Sequence, residues 1–232
     1  MSSRMREQAA RGGAHERDRA WTRLLVALLA AACVATLAGP ARSGVANPDP
    51  RNSIVPSHVI VVACGVAGAD SATGHVRVQC LDLIDNPIAN ARIVFDFSRC
   101  TDLRLADDQQ DPRLLAICQL RSVSAFTDFA GFASFTILGS ATDGPPSPPG
   151  ALHIYADGVR VGTASVAVLD RDGVDGLTGA DLSKWAADFF GGSHPPRADF
   201  DGDGEVGLAD LSIWAGAYFG GRDARSAGPW CP

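Results

Sequence analysis

Twelve residues near the C-terminus, Asp199 to Asp210 (DFDGDGEVGLAD), carry carboxylates at positions 1, 3, 5 and 12. Asp199, Asp201 and Asp203 alternate along a glycine-rich turn, Gly204 holds position 6, Glu205 offers its backbone carbonyl at position 7, and Asp210 closes the set. This is the spacing of an EF-hand-type calcium loop. A hard divalent cation of that size takes roughly six to eight oxygen ligands. Alternate residues of a tight loop turn their carboxylates inward, glycine permits the sharp turn, and position 12 reaches back from the first turn of a following helix.

A second acidic stretch, Asp170 to Asp181 (DRDGVDGLTGAD), keeps Asp170, Asp172 and Asp181 at positions 1, 3 and 12. Val174 stands at position 5, and Asp175 at position 6 where glycine is expected. Either Asp175 turns inward as a substitute donor or that ligand is lost. Fewer carboxylates make this the weaker of two calcium sites, with the Asp199 loop the stronger.

Each loop opens onto an element that must position it. LTGADLSKWAADFFGG (177–192) and VGLADLSIWAGAYFGG (206–221) share Ala-Asp-Leu-Ser, Trp-Ala and Phe-Gly-Gly at an offset of 29 residues. Leu182, Trp185, Ala186 and Phe189, like Leu211, Trp214, Ala215 and Tyr218, follow the i, i+3, i+4, i+7 spacing of one helix face. Gly-Gly ends each helix. Neither aromatic stripe is buried by its own helix, so the expectation is that the two copies pack together as one supersecondary unit used twice.

Two calcium loops, each followed by one helix and joined by a proline-containing linker (GSHPPRA, 192–198), resemble the type I dockerin domain. That resemblance implies a calcium-folded module that docks onto a cohesin-type partner in polysaccharide-degrading assemblies. The partner-reading positions 10 and 11 of dockerin loops, often Ser-Thr, are Gly179-Ala180 and Leu208-Ala209 here. This departure turns the expectation toward another attachment partner, such as a cell-surface protein.

The middle of the chain reads as all β. Segments 57–64, 74–83, 91–97, 122–128, 132–138, 151–156 and 163–170 are short and rich in Val, Ile, Phe and Thr, separated by Asp-Asn-Pro, Asp-Phe-Ala-Gly and Ala-Asp-Gly turns. About seven such strands fit an immunoglobulin-like sandwich. DLIDNPIANARIVFDF and AFTDFAGFASFTI resemble the bacterial Ig-like domains of invasin- and intimin-type surface proteins, which implies a spacer or adhesive role. The ADDQQD stretch reads as a solvated loop.

Six arginines (Arg4, Arg6, Arg11, Arg17, Arg19, Arg23) precede the apolar run Leu24–Leu37, and small residues follow it, as in a secretory signal peptide. Cleavage near Ala41 or Ala46 leaves no stable membrane span. In an exported chain Cys64, Cys80, Cys100, Cys118 and Cys231 read as disulfide-forming, with Cys100–Cys118 and Cys64–Cys80 preferred by proximity and Cys231 left over. No CxxC pair offers a thiolate zinc site. The net charge of −6 is contained in the segment 170–222, with ten acidic and four basic residues, and argues against nucleic acid as a partner. No GxSxG, HExxH, P-loop or GxGxxG is present, and the histidines are scattered, so no catalytic residue is assigned.

The expected organisation is therefore a signal and processing region (1–46), a mainly β Ig-like sandwich (47–169), a small all-α calcium-binding dockerin-like module of two loop–helix repeats (170–222) and a tail (223–232). The expected function is non-catalytic: secreted or cell-surface attachment through the calcium module, linked to polysaccharide catabolism. The alternatives are an adhesive protein whose sandwich binds carbohydrate and, after that, a polysaccharide-active enzyme.

Overall fold

A computed structural model of the chain describes residues 47–63, 71–109, 111–174, 176–192, 195–220 and 230–231. The expected signal segment and cleavage point, Cys64 and Asp175 lie outside these residues. The described residues all belong to one compact unit, Ala46–Pro232.

Among the described residues ten strands form: β1 (His58–Val61), β2 (His75–Gln79), β3 (Arg92–Asp96), β4 (Leu103–Leu105), β5 (Leu115–Ile117), β6 (Ser122–Phe126), β7 (Phe132–Thr136), β8 (Gly139–Ala141), β9 (Leu152–Ala156) and β10 (Val159–Val168). Six of the seven segments read as strands contain one, and the seventh, 163–170, covers only the second part of β10, which begins at Val159. The three missed, β4, β5 and β8, are three residues each, too short for alternation to register. Six strands make one sheet in the order β1-β10-β9-β3-β6-β5, while β2 pairs with β7 and β4 with β8. β9 and β10 are joined by a two-residue Asp157-Gly158 turn with both φ angles positive, 46° and 83°. That conformation matches the twist of a tight hairpin and favours Asp-Gly.

The alternation of β3 builds the main core. Ile93 and Phe95 point inward with Val123, Leu152 and Ile154 from neighbouring strands, and the β2–β7 and β4–β8 ladders close over them with Val78, Phe135, Leu103 and Leu105. Phe95 stacks on Phe135 across the gap, ring centroids 4.2 Å apart. The ADDQQD stretch is not wholly solvated. Asp107 and Asp108 are exposed, but Gln109 is buried and spans a strand edge, donating to Ala106 O (2.8 Å) and Leu138 O (3.1 Å) and accepting from Leu138 N (2.8 Å).

β1 and β10 differ from the other strands of the sheet. They run parallel, and where they pair, Val59–Val61 of β1 and Val166–Val168 of β10 are buried on both faces. Val59, Val61, Val166 and Val168 face the main core, whereas Ile60, Val62, Ala167 and Leu169 face a second apolar cluster. The uninterrupted apolar run VIVVA is the sequence mark of such a two-sided strand.

That second cluster corrects the expected fold class. Two helices follow β10, α1 (Gly179–Gly191) and α2 (Leu208–Gly220), but they do not make a small all-α module. Trp185, Phe200, Val206, Trp214 and Ala217 share one apolar cluster with Ile60, Val62, Ala167 and Leu169 of the sheet. Two helices with one aromatic stripe each supply too little apolar surface for a core of their own, and the bare outer face of β1–β10 completes it. The described residues are mostly β, with α1 and α2 laid on the outer face of β1–β10.

The disulfide pairing is also corrected. Cys118 bonds to Cys231, with Cα atoms 4.9 Å apart, and Cys80 and Cys100 are buried thiols. Proximity in sequence misled because the tail returns to the sheet: Trp230 bridges to Ala106, and Cys231 N donates to Leu105 O (2.9 Å).

Candidate metal centre

The first acidic loop leaves the end of β10. Asp170 O accepts from Ala141 N (2.7 Å), which ties the loop's opening residue to β8. Asp170 Oδ1 accepts from Gly173 N (2.7 Å). Asp181 Oδ1 accepts from Arg171 N (2.6 Å) and Asp172 N (2.9 Å), and its Oδ2 from Thr178 N (2.6 Å). Thr178 caps α1 in a reciprocal box with Asp181, so the helix start and the loop closure use the same carboxylate.

The second loop repeats this wiring 29 residues on. Asp199 Oδ1 accepts from Gly202 N (2.7 Å), Asp210 Oδ1 from the N–H groups of Phe200 and Asp201, and Asp210 Oδ2 from Gly207 N (2.7 Å). In addition Asp199 Oδ2 accepts from Gly204 N (3.0 Å). Gly202 (φ 76°) and Gly204 (φ 92°) take left-handed conformations that a side chain resists. At Gly202 a Cβ would also stand 2.8 Å from Cγ of His58.

Ligand-type oxygens of Asp170, Asp172 and Asp181 lie within 4.8 Å of one another, and so do those of Asp199, Asp201 and Asp203. Asp210 holds the backbone of its loop from a buried position, while Glu205 is exposed and its N–H donates to Asp203 Oδ1 (2.8 Å). Positions 1 and 12 are buried in both loops, Asp170 (1 % exposed) and Asp181 (0 %) like Asp199 (5 %) and Asp210 (1 %). The loops differ at position 3, where Asp172 is partly buried and Asp201 exposed.

One oxygen of the first loop, Oδ2 of Asp170, is buried with no hydrogen-bond partner. Burial, and then the charge of Asp181, push the Asp170 carboxyl up to about 7. Burial raises Asp181 as well. A sealed carboxylate with an open lone pair beside two further carboxylates is costly unless a cation or a proton neutralises it. The donor set is oxygen only, which suits a hard divalent ion.

Five further residues shape the site and were not singled out from sequence. Arg104 of β4 donates to Gly173 O (2.6 Å) and lies over the Trp230 ring at 4.2 Å, joining loop, sheet and tail. His58 packs on the second loop with both ring nitrogens buried, and burial lowers its pKa against the upward pull of Asp199, Asp201, Asp210 and the Phe200 backbone. Arg171 pairs with Asp188 of α1, and Arg197 donates to the same carboxylate at 3.2 Å. The available signal was a break in the repeat: Arg171 and Asp188 align with Phe200 and Ala217.

No family profile, curated protein or solved structure matches this chain. Among the described residues no helix is long and apolar enough to cross a membrane.

Proposed function

We propose that the loops Asp170–Asp181 and Asp199–Asp210 bind calcium, and that the calcium-held loop–helix pair is the attachment surface of an exported, non-catalytic protein. The observation that carries the reading is the buried, unpartnered Oδ2 of Asp170 within a cluster of three carboxylates. The second loop supports it by repeating most of those hydrogen bonds 29 residues on, with Asp199 Oδ2 taking Gly204 N where Asp170 Oδ2 stays open. Asp170, Asp172 and Asp181 would hold one ion and Asp199, Asp201, Asp203 and Asp210 the other, with carbonyls of the loops completing the oxygen set. The bound ions neutralise carboxylates that the fold has drawn together, and so contribute to stability.

The attachment half of the reading rests on the dockerin-like repeat and on the basic and apolar N-terminal segment typical of export. Its partner class is a cohesin-type or cell-surface protein. A matched pair of aromatic ladders also supports a binding face: Trp185–Phe189–Phe190 and Trp214–Tyr218–Phe219 have the same stacked and edge contacts, and each ends on a strongly exposed phenylalanine.

Calorimetric unfolding of the full-length chain tests the calcium half. Calcium at a hundredfold excess over Kd should add about 2.7 kcal/mol per site and raise the midpoint, magnesium much less, and chelator should reverse the gain. A midpoint indifferent to calcium, or one still raised in the D170N/D199N chain, would sink it. Attachment predicts capture of a surface or secreted partner in calcium that is lost with chelator and with D170N/D199N.

A further inference from the structure

We propose that Asp188 couples the two loops, so that a cation bound in one raises the affinity of the other. The inference rests on the reading of both loops as calcium sites. Its physical basis is a chain of charges, buried Arg171 and Asp188 and the partly exposed Arg197, that joins the closure of the first loop to the entrance of the second.

Arg171 lies between Asp170 and Asp172, and its N–H holds Asp181 Oδ1 at 2.6 Å. Its place is thus tied to the three carboxylates of the first loop. Its side chain leaves the loop and pairs with Asp188, two turns along α1 from Asp181. Arg197 takes the remaining side of Asp188, with Nη2 3.2 Å from Oδ1 and Nε 3.3 Å from Oδ2. Arg197 belongs to the short 3-10 turn Pro196–Ala198, and Asp199, the first carboxylate of the second loop, follows it directly. Asp199 N donates to Pro196 O (3.3 Å), and Trp185 of α1 donates to Ala198 O (3.1 Å). α1 therefore grips the second loop's entrance twice and carries the first loop's closing residue at its own start.

Burial makes this chain a two-position device. Arg171 is 4 % exposed and Asp188 9 %, and two guanidinium nitrogens of Arg171, Nε and Nη1, have no partner. Moving Arg171 off Asp188 uncovers a buried charge and sets Arg197 alone against it, which is expensive where water is excluded. The loop geometry that converges Asp170, Asp172 and Asp181 is the one that keeps Arg171 on Asp188. A cation that holds it there also fixes Asp188, Arg197 and the approach to Asp199. The second site then binds with less ordering left to do, and linkage makes the effect mutual. The second repeat folds its loop with Phe200 and Ala217 in place of the pair, so the charges are not needed to build a loop–helix unit. Their place is the junction between units.

Calcium isotherms of the full-length chain test the coupling. The first loop is disabled with D170N/D172N, in the otherwise unchanged protein and again with R171F/D188A, which installs the second repeat's own residues. Disabling the first loop should weaken the remaining site about tenfold in the first background and less than twofold in the second. R197Q, at a partly exposed side chain, breaks the chain at its other end and should abolish the difference in the same way. Equal weakening in all backgrounds would mean that Asp188 is only structural and would overturn the coupling, as would a second site untouched by loss of the first. Absence of calcium binding in the unchanged protein would overturn the cation reading and the coupling together.

Discussion

The Arg171 guanidinium and the Asp188 carboxylate form an ion pair buried between the first acidic loop and helix α1, at positions where the second repeat carries Phe200 and Ala217. Two copies of one loop–helix unit thus solve the same packing problem in two ways, one ionic and one apolar.

Removing Asp188 leaves the Arg171 guanidinium buried without its carboxylate, whereas removing Arg171 leaves Asp188 still paired with Arg197. D188A should cost about 3–5 kcal/mol in urea unfolding and R171A less, while the paired R171F/D188A should cost much less than the two single losses combined. Additive losses would show that the pair carries no mutual compensation.

The outer face of β1 and β10 holds the helices, so Leu169→Ala should destabilise the whole unit by about 2–4 kcal/mol, with sheet and helices melting in one transition. The excised segment 170–222 should stay unfolded even in calcium, because Ile60, Val62, Ala167 and Leu169 are missing from its core. A folded, calcium-binding fragment would contradict this packing.

The Cys118–Cys231 bond closes a chain separation of 113 residues. Cys231→Ser should cost about 3–5 kcal/mol by the chain-entropy account. It should also free Trp230 from Arg104, and so loosen the Arg104 grip on Gly173. Hydrogen exchange at the first loop, faster in C231S than in the parent, is the measurement; unchanged protection there would separate the tail from the site.

Burial pushes the Cys80 thiol up to about 11 and the Cys100 thiol up to about 12. Reaction needs the thiolate, so neither should be alkylated in the folded chain at pH 8, and both should be in denaturant, read site by site by mass spectrometry. The sign for stability follows. The unfolded thiols ionise near 9, below their folded values, so this contribution is complete below pH 9 and is lost as pH rises toward 11 and 12. C80A should flatten the alkaline limb of the stability curve.

Much of the candidate site was legible because its information is local. Carboxylate spacing, the glycine turns and the helix cap all lie within twelve residues, and the 29-residue offset doubled the signal. The surroundings of the loops were less legible. Counting carboxylates ranks Asp199–Asp210 first, but only the structure shows β8 and Arg104 bonded to Asp170 and Gly173. Burial by a distant strand leaves no trace in a loop's own composition. The run VIVVA is apolar throughout, as a strand covered on both faces requires, but it does not say what covers it.

By itself, then, the sequence determined the strands with clean alternation, the two helices and the twice-used acidic loops, since hydrophobic period and ligand spacing act over one or two turns of chain. Only the tertiary structure decided that the helices lie on the sheet rather than on a core of their own, that Cys118 meets Cys231, and that Asp188 gathers Arg171 and Arg197. Those outcomes depend on which surfaces and charges are left uncovered once distant segments have met, and burying them is a property of the assembled fold.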